Sequence, residues 1–295
     1  MKKSLFLSMA LFVFFSCNTP KDKTSKSSTE QVLNEDSTVK HLSDIAYKNE
    51  SDKKTPVIYV TDLYHPFEDP DDHFDLITLA KLKQYDIKAI VIDNAKPFKK
   101  TPGKIPIEQM NAIVSRNVPY YLGLNEKLKS PSDTGKEQPV NQEGCSIILD
   151  ILEKSNSKVS IISVGSLRDV AAAYNRNPKL FKNKLDKLIM FIGEATKTDF
   201  IEYNANLDKN AYITVMNNIS NIWWIPCFDG GVSQNNGHAS YWKGKRKVLL
   251  KDAPNPIINY FLSAFINSSG RIFIIVPLFP FTFNEIIPDA FCPKS

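Results

Sequence analysis

Four aspartates lie close together in the first third of this 295-residue chain, in a loop that prolines interrupt. They are Asp62, Asp69, Asp71 and Asp72, and an apolar run at residues 57–60 comes directly before them. Neighbouring carboxylates raise each other's pKa, so a divalent cation that prefers oxygen ligands would stabilise such a loop. The pattern therefore predicts a site for Ca²⁺, with Mg²⁺ as the second choice. A solvated acidic turn is the alternative interpretation.

The elements that position this loop follow from the apolar pattern. Short runs rich in β-branched and aromatic residues predict strands at 57–60, 88–92, 118–122, 159–163, 188–192 and 222–225. Helical periodicity predicts helices that include 72–85, 143–155 and 167–174. This alternation predicts one α/β domain over residues 55–295, with a doubly wound, mainly parallel sheet and helices on both faces.

Polar or small residues follow nearly every predicted strand. They are Asp62, Asp93-Asn94, Gly123, Gly165-Ser166, Gly193-Glu194 and Asp229-Gly230-Gly231. Because parallel strands all end at one edge of a sheet, these residues are expected to line a single rim. Loops begin at strand ends in any protein, which explains part of the pattern. Three separate aspartates on one rim favour a small-molecule site.

The N-terminus has the pattern of an export signal. Residues 1–17 carry two lysines, a short apolar run and then Ser16-Cys17, which resembles a bacterial lipoprotein cleavage site with Cys17 as the lipidated residue. Residues 18–54 are polar and charged, which is typical of a disordered tether. We therefore expect an exported, membrane-anchored lipoprotein on the periplasmic or surface face. Cleavage elsewhere, giving a soluble secreted protein, and an uncleaved anchor are the alternatives.

Charge and cysteine content exclude some classes of function. Without the first 54 residues the chain has 28 Lys plus Arg against 25 Asp plus Glu, a net charge of about +3 that does not favour nucleic acid as a partner. Cys145, Cys227 and Cys292 are far apart and form no CxxC motif, so they are expected to be buried or semi-buried thiols, with a disulfide left open.

Several motifs, in the same order along the chain, resemble the inosine-uridine preferring nucleoside hydrolase family, including a lipoprotein branch of it. The resemblance covers about residues 56–230. Its segments are the aspartate loop 61–72, Asp93-Asn94, Asn111 with the Val-Pro-Tyr-Tyr-Leu-Gly run 118–123, the Gly-Ser-Leu-Arg-Asp run 165–169, residues 189–195, and Glu202-Tyr203-Asn204 with Asp208.

This resemblance implies hydrolysis of the N-glycosidic bond of nucleosides or related ribosides by a water bound to Ca²⁺. Asp62 would be the general base. The implied metal ligands are Asp62, Asp69, Asp71, Asp72 and the main-chain carbonyl of Val164, while Asn94, Glu202 and Asn204 would hold the ribose hydroxyls. The implied fold is the Rossmann-type α/β fold of that family.

The chain departs from the family pattern in its last third. The family's late His-Asp pair is not recognisable, so Asp229 is a candidate for the last metal ligand. His238 is a candidate for the acid that protonates the leaving group, or else a histidine of a surface loop. The segment from about residue 271 resembles nothing in the family.

These departures leave a second function open: a catalytically inactive surface lipoprotein that retains the fold and binds a metal, a sugar or a nucleoside. A third, an aspartate-based phosphohydrolase, would need a second aspartate two residues after Asp62, where Tyr64 stands. In the first two cases the partner is a small molecule. The base, the sugar and a homo-oligomeric state are left open.

Overall fold

The computed structural model describes residues 54–64, 71–94, 103–232, 234–239, 242–244, 252–265 and 272–274. Asp69, the predicted signal segment with Cys17, residues 18–53 of the predicted tether and nearly all of the segment after 271 lie outside these ranges. No helix within the described ranges is long and apolar enough to cross a membrane.

Eight strands and eight α-helices make up the described part of the chain. The strands are β1 Thr55–Thr61, β2 Tyr85–Ile92, β3 Tyr120–Leu122, β4 Val159–Ser163, β5 Leu185–Phe191, β6 Ile222–Ile225, β7 Trp242–Gly244 and β8 Ile272–Ile274. The helices are α1 Asp71–Lys81, α2 Lys104–Val114, α3 Glu143–Lys154, α4 Arg168–Arg176, α5 Pro178–Lys184, α6 Tyr203–Leu207, α7 Lys209–Asn218 and α8 Asn255–Phe265. A 3₁₀ turn, Pro139–Asn141, precedes α3.

The six predicted strands form one parallel sheet in the order β3-β2-β1-β4-β5-β6. The chain builds outward from β1 to β3 and then crosses back to place β4 on the other side of β1. This reversal is a topological switch point, and the crevice beyond the carboxyl ends of β1 and β4 is where such sheets bind ligands. Strands β7 and β8 form a separate antiparallel pair that the sequence pattern did not predict.

Alternate residues of the central strands pack into two apolar cores, one on each face of the sheet. Val57 and Tyr59 of β1 join the core that α1, α2 and α8 cover, and Ile58 and Val60 join the core under α3, α4 and α7. All four are at most 1% exposed. Burying a side chain of this kind contributes about 1.5 to 3 kcal/mol, which explains why the run is apolar on both faces.

One predicted helix is too long. The pattern favoured a helix over residues 72–85, whereas α1 ends at Lys81 and Tyr85 begins β2. Tyr85 is buried beside Ile87 in the core under α1, and β2 pairs with β1 from this residue onward. An aromatic residue that satisfied the helical period was therefore the first inward-facing residue of the next strand.

Candidate functional site

The start of α1 brings an aspartate back to the end of β1. The Thr61 hydroxyl donates a hydrogen bond to Oδ2 of Asp72, whose side chain is buried. Asp71, the first residue of α1, accepts the Asp72 backbone N–H at 2.9 Å. Two of the predicted aspartates thus have hydrogen bonds at the start of α1.

The carboxylates of this cluster act on one another. Burial raises the pKa of Asp72 well above its ordinary value, and the charges of Asp62, Asp71 and Asp75 raise it further. Asp75 lies one helical turn after Asp72; it is itself buried, and burial raises its pKa. The structure therefore places three of the four aspartates of the loop within electrostatic reach of Asp72 or at it, and adds Asp75, which the sequence did not single out.

Asp62 packs against the end of β4. A Cβ atom on Gly165 would lie 2.8 Å from the Asp62 backbone nitrogen and 3.0 Å from the Asp62 Cβ, so only a glycine allows this approach. The ladder between the two strands also continues past its last paired residues, because the Val164 N–H donates to the Val60 carbonyl at 2.9 Å. Asp62 and Val164 therefore lie side by side at the switch point.

Asn204 completes this corner of the site. Its Nδ2 donates to the Val164 carbonyl at 2.9 Å. Its Oδ1 is a buried acceptor for which no described residue supplies a hydrogen-bond donor. Buried acceptors in folded proteins almost always have a partner, so this oxygen is suited to a hydroxyl group of a bound ligand.

Glu202 has a mainly structural position. Its carboxylate accepts the backbone N–H groups of Gly193, Asn204 and Ala205 at 2.8 to 3.0 Å, and the side chain is 4% exposed. It caps α6 and ties this helix to the end of β5. A carboxylate has about four lone-pair directions, so one remains for the predicted contact with a ribose hydroxyl.

Two further side chains, Cys227 and Tyr203, for which the sequence predicted no role in the site, feel the charge of the same carboxylates. Burial raises the pKa of the half-buried Cys227 thiol, and so do the charges of Glu202, Asp71 and Asp62. Burial also raises the pKa of Tyr203, as does Asp62. Both residues therefore lie within electrostatic reach of the aspartates.

Below this rim lies a buried ionic network centred on Arg168, which is 1% exposed. Its Nε donates to Oδ2 of Asp208 at 3.0 Å, and its Nη1 lies 3.7 Å from Oδ1 of Asp93. It also donates to the carbonyls of Leu124 and Leu207. The arginine thereby joins the ends of β2 and β3 to the junction of α6 and α7. Asn94, a predicted substrate-binding residue, follows Asp93 directly.

The neighbouring Asp169 is enclosed even more tightly. Its carboxylate accepts the Leu124 N–H at 3.2 Å and faces the Cys145 thiol at 3.3 Å. A Cβ atom on Gly123 would lie 2.1 Å from Oδ2 of Asp169. Burial raises the pKa of Asp169 to about 7, with a further contribution from Asp93 that hydrogen bonds and the nearby guanidinium only partly offset.

This raised pKa predicts a pH dependence of stability. The unfolded chain has an aspartate pKa of about 3.9, so between about pH 4 and 7 the folded state binds more protons at Asp169 than the unfolded state does. The stability that the neutral carboxyl confers is complete below about pH 4 and is lost as the pH rises through 7. We expect Asp169→Asn to reduce the fall in unfolding free energy between pH 5 and 8, by at most about 3 kcal/mol.

Urea unfolding at a series of pH values measures this effect. Asp150→Asn is the control, because Asp150 forms a surface pair with Lys154 at 2.6 Å. That variant should keep the pH dependence of the wild type. An Asp169→Asn protein with an unchanged pH profile would contradict the prediction.

Asp229 and His238 lie in the loops beyond β6. Asp229 is fully buried, and its carboxylate accepts hydrogen bonds from Thr196, Asn236 and His238. The isolated bridge between Glu194 and Phe228 shows that this loop continues the pairing of β5 and β6 at the same edge. The structure thus joins Asp229 and His238 to each other, through the backbone N–H and the ring Nδ1 of the histidine.

The donors suit a hard cation in their chemistry. Asp62, Asp71, Asp72 and the Val164 carbonyl offer only oxygen, and the mutual repulsion that raises the pKa of Asp72 is what a cation would relieve. Within the described ranges no three His, Cys, Asp or Glu side chains are arranged closely enough to hold a metal ion. Asp69, the remaining predicted ligand of this loop, lies outside those ranges.

No protein-family model matches the sequence, and a comparison with curated proteins finds no match. Solved structures share the fold at low identity. A plant nucleoside hydrolase is 16% identical over 72% of this chain and 70% of its own, with a TM-score of 0.52. The effector protein XOO4466 is 14% identical over 65% of this chain and 61% of its own, with a TM-score of 0.50.

An inosine-guanosine nucleoside hydrolase is 18% identical over 59% of this chain and 60% of its own, with a TM-score of 0.45. The chain thus spans about three fifths of the length of that enzyme. The six-stranded parallel sheet with helices on both faces confirms the fold class expected from the sequence. The protein has an α/β fold that it shares with a plant nucleoside hydrolase.

Proposed function

We propose that this protein hydrolyses the N-glycosidic bond of nucleosides or related ribosides. The observation that carries the proposal is that Asp62 packs on Gly165 while Asn204 bonds the adjacent Val164 carbonyl, with an Asn204 Oδ1 to which no described residue donates. The Asp62 carboxylate can accept a proton, and the buried Asn204 Oδ1 can accept a hydrogen bond from a hydroxyl group. Such groups at the switch point of a parallel sheet suit a small polyhydroxylated substrate. The likeness in fold to a plant nucleoside hydrolase supports the same activity.

A divalent cation, Ca²⁺ or Mg²⁺, would draw Asp62, Asp71 and Asp72 closer to one another than the described structure places them, with the Val164 carbonyl and Asp69 as further ligands. When bound, it would supply polarisation of a water molecule and of the sugar hydroxyls. Asp71 and Asp72, at the start of α1, would bind the cation through their negative charge. Neither of them needs to transfer a proton in this scheme.

Asp62 would accept the proton of the attacking water as the C1′–N bond breaks. Its fixed position against Gly165 restricts where that water can lie, and positioning of this kind is a large part of what general base catalysis requires. Oxygen atoms of the surrounding carboxylates would stabilise the positive charge that develops at C1′. Asn204 would orient the sugar through its Oδ1, with Asn94 and the remaining lone pair of Glu202 as further contacts.

The direct test is a panel of purine and pyrimidine nucleosides and a nitrophenyl riboside, incubated with the full-length protein and Ca²⁺. We expect release of free ribose, measured as reducing sugar, to require the divalent cation and to stop when a chelator is added. Asp150→Asn, a change on the exposed face of α3, should behave as the wild type does.

The alternative function is a surface protein that binds a metal, a sugar or a nucleoside without cleaving it. One observation favours it: the Asp229 carboxylate, a predicted metal ligand, already has partners within the protein. If folded protein releases no ribose from any substrate in saturating Ca²⁺ yet binds a nucleoside in a calorimetric titration, the hydrolase proposal fails and the binding function takes its place.

A further inference from the structure

Asp229 is a buried carboxylate whose hydrogen-bonding capacity is used within the protein. Its Oδ1 accepts the Thr196 hydroxyl at 2.8 Å. Its Oδ2 accepts the Asn236 N–H at 3.0 Å, the His238 N–H at 3.0 Å and the His238 ring nitrogen Nδ1 at 2.8 Å. A carboxylate has about four lone-pair directions, so four donors saturate it. A cation at about 2.3 to 2.6 Å would have to displace at least one of them.

The same contacts determine which nitrogen of His238 carries the proton. Oδ2 of Asp229 already accepts two backbone N–H groups, those of Asn236 and His238, as the oxygen of an ionised carboxylate does. An ionised carboxylate can only accept hydrogen bonds, so Nδ1 of His238 must be the donor. Nε2 takes no part in this pairing, and the side chain that carries it is 65% exposed.

The loops that hold this pair are fastened to the rim of the candidate site. Glu194 accepts the N–H groups of Gly230 at 2.7 Å and Gly231 at 2.9 Å, which fixes the residues directly after Asp229. The Gly193 carbonyl accepts the Cys227 N–H at 3.0 Å, and the Gly193 N–H donates to Glu202 at 2.9 Å. A short series of backbone contacts therefore connects the pair to residues that face the aspartate cluster.

We propose that Asp229 acts through His238, as a positioning residue that holds Nε2 toward the substrate, and that it is not a ligand of the cation. This inference rests on the proposed function. Protonated His238 donates its Nε2 proton to the departing base nitrogen as the C1′–N bond breaks. The attacking water gives its hydroxide to C1′ and its proton to Asp62. Exchange with solvent returns a proton from Asp62 to His238, so the products are free ribose and the protonated base.

The ring proton is tested by nitrogen NMR on full-length protein labelled at histidine. In the wild type we expect His238 to be the Nδ1–H tautomer when neutral, and in Asp229→Asn we expect this preference to be lost. His238→Gln identifies the signal. This measurement needs neither cation nor substrate, so it tests the pair independently of the proposed function.

A cation titration tests whether Asp229 is a ligand of the cation, and turnover tests whether it acts on catalysis through His238. We expect Asp229→Asn to bind Ca²⁺ within about twofold of the wild type in a calorimetric titration, whereas Asp72→Ala loses binding. Asp229→Asn and His238→Gln should each lower kcat on inosine by about 10² or more with little change in KM. On a nitrophenyl riboside, whose leaving group needs no proton, both should stay within about tenfold of the wild type. Thermal melting checks that each variant is folded.

Two results would overturn the inference. One is an Nε2–H tautomer of His238 in the wild type, which would remove the pairing itself. The other is a loss of Ca²⁺ affinity in Asp229→Asn as large as that in Asp72→Ala, which would make Asp229 a ligand. Failure of the wild type to cleave either substrate overturns the proposed function and the catalytic role of His238 together. The tautomer measurement still tests whether Asp229 orients the His238 ring.

Discussion

Replacing Asp62 by asparagine should lower kcat/KM for nucleoside hydrolysis by about 10² to 10⁴-fold, the range typical of a lost general base. An asparagine amide has nearly the same shape but cannot accept a proton from water at neutral pH. Because Asp62 directly follows β1 and packs on Gly165, the variant should keep its fold and the geometry of the rim. Initial rates of ribose release over a range of substrate concentrations measure the effect.

A comparison with Asp72→Ala separates the base from the groups that hold charge. Asp72 accepts the Thr61 hydroxyl and lies among several carboxylates, so its loss should remove cation binding and turnover together. Asp62→Asn should retain much of the cation affinity and still lose the rate. An Asp62→Asn enzyme with a rate within about twofold of the wild type would show that another group accepts the proton.

The strands and the edge they form could be predicted from the sequence, because the residues that determine each strand are consecutive in the chain. A run such as residues 57–60, apolar at every position, is explained only by burial on both faces of a sheet. Since parallel strands end at one edge, the polar residues after β1 and β4 were expected to meet, and Asp62 does pack on Gly165. The extent of each element was less certain, as α1 and Tyr85 show.

The side-chain partners could not be predicted, because they join residues far apart in the chain. Arg168 meets Asp208 across 40 residues, and Asn204 meets the Val164 carbonyl across the same distance. No periodic pattern carries that information. The role of Glu202 was also hidden, since capping of α6 depends on where that short helix begins. Glu202 and Asn204 were singled out only because their motif resembles a known family.

The candidate metal ligands illustrate a further limit. An aspartate after a strand can bind a cation, cap a helix or orient a histidine, and these roles require the same residue type at the same edge of the sheet. Asp72 lies in a cluster of like charges, which favours a cation. Asp229 lies among four hydrogen-bond donors, which does not. Only the neighbours in space distinguish the two.

The second large effect is on stability. Arg168→Met should lower the free energy of unfolding by about 3 to 5 kcal/mol, the usual result of removing one partner from a buried ion pair. Methionine preserves most of the volume but leaves the carboxylates of Asp208 and Asp93 without the guanidinium that lies 3.0 and 3.7 Å from them. Urea unfolding followed by circular dichroism measures the change.

A second substitution tests whether the lost charge is the cause. If uncompensated carboxylates destabilise the variant, then adding Asp208→Asn to Arg168→Met should recover part of the loss, because the remaining buried charge is smaller. Lys154→Met, which removes the cation of an exposed pair on α3, should leave stability nearly unchanged. A loss that Asp208→Asn does not relieve would instead point to the carbonyls of Leu124 and Leu207, which also lose a donor. In that case the arginine would stabilise the fold chiefly through hydrogen bonds to the backbone.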